Sequence, residues 1–308
     1  MLSVRQIDEL RHCDAAAALR LAQSARQRDS SPYLLAVLGS CYRTAGELSQ
    51  ARRVLNRAVR ISPKRSFVRG DALQRLAYVA MDQADWRFAE KIVRWAMTIY
   101  AELGEVDRGG QTLYDLGLIY YFREEYAASL DVLNRALTKL DQDNFRSRFS
   151  AHLTCANIHL QLDNEKKALQ EALAAELLAP NAGNISHRSA DFLVEFYENR
   201  GQYEKAYQKA DELFERYALA GRWNDAPQAA LWSLRLRIKN DELAKASKVA
   251  VEFLGACLIH LKDPLASQVI LELLRVGISG RPLTLEAVND ACRQLEPAAC
   301  KKNFAKHQ

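Results

Sequence analysis

The chain has 308 residues, 49% of them hydrophobic and 26% charged, the balance of a globular protein with a large core rather than a disordered or fibrous one. No apolar run approaches the ~20 residues that cross a bilayer. The opening MLSVRQIDELRHCD carries acids and no apolar stretch after its first charge, so it does not read as a secretory signal. The net charge of +5 is uneven: residues 1–70 hold 13 Lys or Arg against 5 Asp or Glu, a net of +8, which leaves −3 for the remainder.

With 13 Gly and 7 Pro against abundant Ala, Leu, Arg and Glu, the composition favours helix throughout. Residues 4–27 read as an amphipathic helix pair or part of one, with Ala15 to Ala18, Leu19, Leu21, Ala22 and Ala25 as the apolar positions. Ser30, Ser31 and Pro32 open the next helix, with Pro32 in its first turn, where a missing N–H is tolerated. Leu35, Leu38, Gly39 and Tyr42 follow at helical spacing, then Ala51, Leu55 and Ala58, then Pro63. That spacing describes two short antiparallel helices. Gly39 permits a close approach, Tyr42 fills the gap, Ala51 and Ala58 are small at the crossing, and Pro63 stops the second helix.

This pattern resembles one tetratricopeptide repeat, with Leu35 and Leu55 where Trp and Phe often stand. Indexed on the small residue near the start of each second helix, the pattern recurs at Ala51, Ala89, Ser129, Ala168, Ala206 and Ala246, at intervals of 38, 40, 39, 38 and 40 residues. The family's unit is ~34. The excess means about one more helical turn, or a longer turn between repeats, and resembles extended repeats of bacterial regulatory and scaffold members. The Ala- and Arg-rich composition also points to a bacterial source. Leu113, Leu116, Gly117 and Tyr120 make the third repeat the cleanest after the first. Gly46 and Gly201 are expected in tight turns that need a positive φ. Gly104–Gly110 and Pro180–His187 read as inter-repeat loops, the second as a hinge.

The expected fold is all-α: a right-handed superhelical solenoid of tetratricopeptide-like helix hairpins. Residues 1–31 form N-terminal capping helices or a degenerate repeat, 32–254 hold six repeats, and 255–308 form a C-terminal helical cap with a basic tail. Thr284 is the expected N-cap of a last helix, Leu285 to Leu295. The apolar surface from Leu265 to Val276 is either the last core layer or a homo-oligomer contact.

Cys13, Cys41, Cys155, Cys257, Cys292 and Cys300 are scattered without a CxxC pair, which reads as reduced thiols in a cytoplasmic protein. A Cys292–Cys300 disulfide stays open. No phosphate-loop, dinucleotide, nucleophile-elbow or zinc-protease motif occurs, so no enzymatic activity and no cofactor are expected. His152, Cys155 and His159 share a helical face, the spacing of a metal site. In the repeat register they take the core positions of Leu35, Leu38 and Tyr42, which favours packing over a metal.

The basic run Arg52, Arg53, Arg57, Arg60, Lys64 and Arg65 lies on one helix and its following loop. A solvated outer face is the plain reading; an acidic partner is the functional one. Nucleic acid is disfavoured, because no nucleic-acid motif accompanies the run.

The resemblance implies that first helices line a concave groove. Its positions are Tyr33, Ala36, Ser40, Arg43 and Thr44, then Gln74, Tyr78, Met81 and Asp82, then Gln111, Tyr114, Leu118, Tyr121 and Phe122. Leu153, Asn157, Leu160 and Gln161 follow, then Arg188, Asp191, Glu195, Glu198 and Asn199, and finally Leu231, Arg235, Ile238 and Lys239. The aromatic and apolar middle, beside Asn157 and Gln161, suits an extended peptide or a partner helix. In peptide-binding members an Asn at the position of Asn157 contacts the ligand backbone. Asp191, Glu195 and Glu198 would favour a basic ligand segment. The family's carboxylate clamp needs Lys and Asn where Ala36 and Ser40 stand, which argues against a chaperone-tail co-chaperone. The implied function is a protein- or peptide-binding scaffold or adaptor in signalling, secretion or regulation. The alternative is a regulator whose superhelix changes shape on binding a peptide.

Overall fold

A computed structural model describes residues 3–11, 14–27, 31–260, 264–278 and 284–295, and among these there is helix and no strand. Two short helices, α1 (Val4–Leu10) and α2 (Ala15–Arg26), precede the repeats. Five helix pairs follow: α3 (Pro32–Thr44) with α4 (Leu48–Ile61), α5 (Phe67–Asp82) with α6 (Trp86–Leu103), α7 (Val106–Phe122) with α8 (Tyr126–Lys139), α9 (Phe145–Gln161) with α10 (Glu165–Leu178), and α11 (His187–Glu198) with α12 (Tyr203–Leu219). In the sixth, α13 (Ala226–Lys239) pairs with α14 (Leu243–Val249), which runs through a π-helical turn at Ala250–Leu254 into α15 (Gly255–His260). Helices α16 (Pro264–Ile278) and α17 (Leu285–Leu295) close the chain. The architecture is an all-α helical-repeat solenoid.

The repeat is written in backbone geometry. Each hairpin turn holds one left-handed residue: Gly46, Ala84, Glu124, Asp163, Gly201 and Asp241, with φ between 56° and 80°. Their intervals reproduce the 38, 40, 39, 38 and 40 of the sequence register. The next residue's N–H closes each turn onto a carbonyl five residues back, as Glu47 does on Tyr42 at 2.9 Å and Glu125 on Tyr120 at 2.9 Å. Glycine serves two of the six turns, as expected at Gly46 and Gly201; the other four force an L-residue into the left-handed region.

Through the second, third and fourth pairs the extra length lies mainly in helix rather than loop. Helices α5, α6, α7 and α9 run 16, 18, 17 and 17 residues. The expected loop at Gly104–Gly110 is therefore a correction. Only Gly104 and Glu105 connect α6 to α7, and Gly109 and Gly110 are helical because Gly110 lets the chain pass Leu140, whose backbone N would lie 2.9 Å from an added Cβ. Gly39 and Gly117 act as close-approach points, where a Cβ would fall 2.4 Å from Leu55 Cγ and 2.6 Å from Leu133 Cδ2. Pro63 follows Ser62, which caps α4 in extended backbone.

The chain forms two compact units, 1–171 and 172–308, dividing inside α10. The Pro180–His187 segment lies within the second unit. It is folded into two 3-10 turns, Ala179–Asn181 and Gly183–Ile185, because Arg216 of α12 donates to the Ser186 carbonyl at 3.1 Å. The first unit's main core gathers Leu35, Leu38, Leu55, Leu73 and Leu76 with Ala51, Ala58, Ala89 and Ala96. In the second unit Ile270, Leu273 and Leu274 of α16 pack with Leu231, Leu234 and Leu254, which makes this stretch a core layer. Thr284 caps α17, accepting from Ala287 N at 3.2 Å. Cys41, Cys155 and Cys257 are free and buried. The expected tail and any Cys292–Cys300 bridge fall outside the described residues. No described helix is long and apolar enough to cross a membrane.

Candidate functional site

Helices α7 and α9 pack side by side and leave one half-open face. Tyr114, Leu118 and Tyr121 line it from α7, and Asn157 and Leu160 from α9, with Gln161 exposed at its end. The 3.6-residue period puts positions 114, 118 and 121 on one stripe, and 157, 160 and 161 on another. Tyr114 and Tyr121 pack against a buried cluster of Leu133, Ala151, Cys155 and Ile158 and are themselves half-buried. Asn157 donates Nδ2 to the Leu153 carbonyl at 2.9 Å, which holds its amide in place and leaves the side-chain oxygen to accept from a partner. Leu153, expected on this face, is instead buried at 4% exposure against the neighbouring helices.

Phe122 belongs elsewhere. As the last residue of α7 it has turned toward the hairpin edge, where its ring stacks on Trp86 at 5.3 Å and 13° and meets Tyr121 edge-on at 5.3 Å. It remains 48% exposed.

Tyr78 is pinned rather than available. Its hydroxyl donates to Asp115 Oδ1 at 3.0 Å, and Gln74 Nε2 donates to Asp115 Oδ2 at 2.7 Å. Gln74 is buried, not groove-facing. Asp115 is fully enclosed, and burial drives its pKa up to about 7, against the pull of the Gln74 and Tyr78 hydrogen bonds. Arg43 lies over the Tyr78 ring at 5.3 Å and pairs with Asp82 at 2.6 Å. These polar bridges tie α3 to α5 and α5 to α7. The sequence signal of this network is a lone carboxylate, Asp115, in the apolar run from Leu113 to Tyr121, which helical period alone does not connect to Tyr78.

In the second unit the acidic stripe of α11 is partly neutralised. Glu198 takes ion pairs from Arg235 at 2.5 Å and Lys239 at 2.7 Å on α13. Leu231, expected beside them, is buried. Asp191 is half-buried with His187 at 4.0 Å, and Glu195 is exposed. Burial, then the nearby Glu195 charge, raises Asp191 to about 7; burial and Glu198 raise Glu195. These two carboxylates are the part of the stripe that a basic segment would relieve.

His152, Cys155 and His159 do not converge. His152 Nδ1 meets Glu171 at 2.7 Å, while Cys155 sits in the α7–α9 cluster with burial pushing its thiol up to about 12. Among the described residues no group of three potential metal ligands occurs. On the outer side, Arg52 pairs with Asp85 and lies over the Phe88 ring, and Arg65 pairs with Glu102. Arg53, Arg57 and Arg60 form an exposed ridge one helical face wide.

The tetratricopeptide repeat model matches residues 33–65, the pair α3–α4. No curated protein matches the chain by sequence. Among solved structures, the chain is similar to a signal-transduction ATPase with numerous domains and a tetratricopeptide repeat sensor, from Pyrococcus horikoshii. That likeness has a TM-score of 0.63 at 17% identity, over 99% of this chain and 49% of the other, so the chain spans about half of that protein's length. It is also similar to pilF of Pseudomonas aeruginosa (TM-score 0.52, 19% identity, 75% and 91% covered) and to the apo form of RapI (0.52, 14%, 80% and 93%). At these identities the likeness is one of fold. The chain thus carries a tetratricopeptide-repeat match at the pair α3–α4 within an all-α helical-repeat fold whose pairs recur every 38–40 residues.

Proposed function

We propose that the chain is a non-enzymatic scaffold or adaptor in signalling, secretion or regulation that holds a peptide or protein segment against α7 and α9. The observation that carries this reading is the convergence of Tyr114, Leu118, Tyr121, Asn157, Leu160 and Gln161 on one half-open face. Anchored aromatics offer contact area at low entropy cost, and amides pair with a peptide backbone. Such side chains supply adhesion and orientation rather than a nucleophile or an acid–base pair. The Asp191–Glu195 pair is a separate contact point for a basic segment. Buried free thiols fit a reducing, cytoplasmic setting. The test is capture of partners from source-cell lysate by wild type and by Tyr121→Ala/Asn157→Ala, with circular dichroism confirming the fold. Loss of a partner from the double variant supports the reading, and equal capture moves the site to another face.

A second reading is a peptide-responsive regulator. It is favoured by the likeness over nearly the whole chain to a protein whose tetratricopeptide part is named a sensor. A change in the solution radius of gyration on peptide addition separates it from a passive scaffold.

A further inference from the structure

Helix α3 is enclosed on every side, with eight consecutive buried residues from Leu34 to Cys41. Its counterpart α7 leaves Tyr114 and Leu118 half-open at the register positions that Ala36 and Ser40 occupy in α3, where both are buried. Helices α1 and α2 both pack on α3. Ile7 is buried at 3% exposure, and Asp8 grips Arg75 of α5 with both oxygens, Oδ1 to Nη1 at 2.9 Å and Oδ2 to Nη2 at 2.7 Å. The same Nη1 donates to Ser40 Oγ at 2.8 Å.

The socket is built independently of α1. Arg75 Nε donates to Asp71 on its own helix at 2.7 Å, so the guanidinium keeps a partner and an orientation when Asp8 is absent, and its two terminal nitrogens still face the α3 surface. Helix α1 itself is seven residues long: Ile7 is its one fully buried side chain, Val4 and Leu10 pack part-buried against the core, Asp8 also pairs with Arg11 at 2.7 Å, and Arg5, Gln6 and Glu9 stay exposed. A bidentate site is thus filled by a short piece of the same chain. The group it fits is a carboxylate, because Arg75 presents two terminal nitrogens side by side, both taken by Asp8.

We propose that Ile7 and Asp8 stand in for an outside ligand: a partner segment with an Asp or Glu directly after a branched apolar residue, which displaces α1 and docks its carboxylate on Arg75 and Ser40. The inference rests on the reading that first helices present protein-binding faces, but it uses α3 and α5 rather than α7 and α9.

The test uses the full chain and a fluorescein-labelled probe peptide, SVRQIDELR, which repeats residues 3–11. Binding to the Ile7→Ser/Asp8→Asn chain is expected to be at least tenfold tighter than to wild type, because the tethered α1 no longer competes. A probe with its Asp replaced by Asn is expected to lose at least tenfold. Arg75→Met added to that chain should abolish binding. Since it also strips Asp71 of its partner, a second measurement keeps the wild-type fold. Excess probe should speed amide hydrogen exchange in residues 4–10 of the wild type several-fold, with the dye separating probe from chain by mass. Equal affinity for wild type and variant, no saturable binding to a variant that is folded by circular dichroism, or exchange unmoved by the probe would overturn the proposal. The Tyr121→Ala/Asn157→Ala chain should bind the probe as wild type does; loss there would place the probe on α7 and α9 and overturn the assignment to Arg75.

Discussion

Tyr78 and Asp115 meet at 3.0 Å across two helix pairs, hydroxyl to carboxylate, and Asp115 has no exposed surface. A carboxylate there is costly when ionised, which is why it stays protonated to about pH 7 in the fold. The unfolded chain releases that proton near about pH 3.9. Between those values the folded state binds the extra proton, so its stability falls as pH rises from about 4 to about 7 and levels off above. Asp115→Asn removes the ionisation. Its melting temperature relative to wild type should therefore rise between pH 5 and pH 8, with roughly 1–3 kcal/mol in the variant's favour at the upper end after the loss of charge-assisted bonds. A gap that does not change with pH would contradict this account.

Gly117 and Leu133 form the closest approach within the pair α7–α8. An added Cβ would lie 2.6 Å from Leu133 Cδ2 and 2.7 Å from its Cγ. Gly117→Ala should destabilise by about 1–3 kcal/mol, the range for overpacking. Leu133→Ala alone leaves a cavity costing about 2–5 kcal/mol. Combined, the two should cost less than their sum, because the new methyl fills part of the vacated space. Urea melts of the four-chain cycle measure the coupling, and simple additivity would show that Gly117 does not act through Leu133.

Ala84 holds φ 56° in the turn between α5 and α6, where Gly46 holds 80° in the equivalent turn of the first pair. Opposite substitutions should have opposite signs. Ala84→Gly relieves a left-handed alanine and should stabilise by up to about 1 kcal/mol, net of the flexibility added to the unfolded chain. Gly46→Ala should destabilise by about 1 kcal/mol or more. Thermal melts on the two variants suffice, and a shift of the same sign in both would refute the equivalence of the turns.

Phe122 stacks on Trp86 at the hairpin edge, outside the face formed by Tyr121 and Asn157. Phe122→Ala should cost about 0.5–1.5 kcal/mol of ring–ring contact beyond its buried area and alter the fluorescence of Trp86. Partner capture should survive it and fail with Tyr121→Ala. If both substitutions abolish capture equally, the binding face extends to the hairpin edge.

Repeat architecture was legible because it is local. The 38- to 40-residue register, Pro32 and Pro63 as boundaries, Gly46 and Gly201 as turn residues and Thr284 as a cap each depend on a residue's own backbone preference or on neighbours within one helical turn. Of the proposed face, the alignment of Tyr114, Leu118 and Tyr121 on α7 and of Asn157, Leu160 and Gln161 on α9 comes from the same register, because helical period alone gives it. What the tertiary structure decided is which of those positions remain open. Tyr78 is spent on Asp115, Glu198 on Arg235 and Lys239, Phe122 on Trp86, and Ser40 lies beneath α1 with Arg75 and Asp8. Each of these pairs joins residues more than thirty positions apart. Charge and aromatic contacts over that separation depend on how neighbouring helices stack, and periodicity within a single helix carries no information about it.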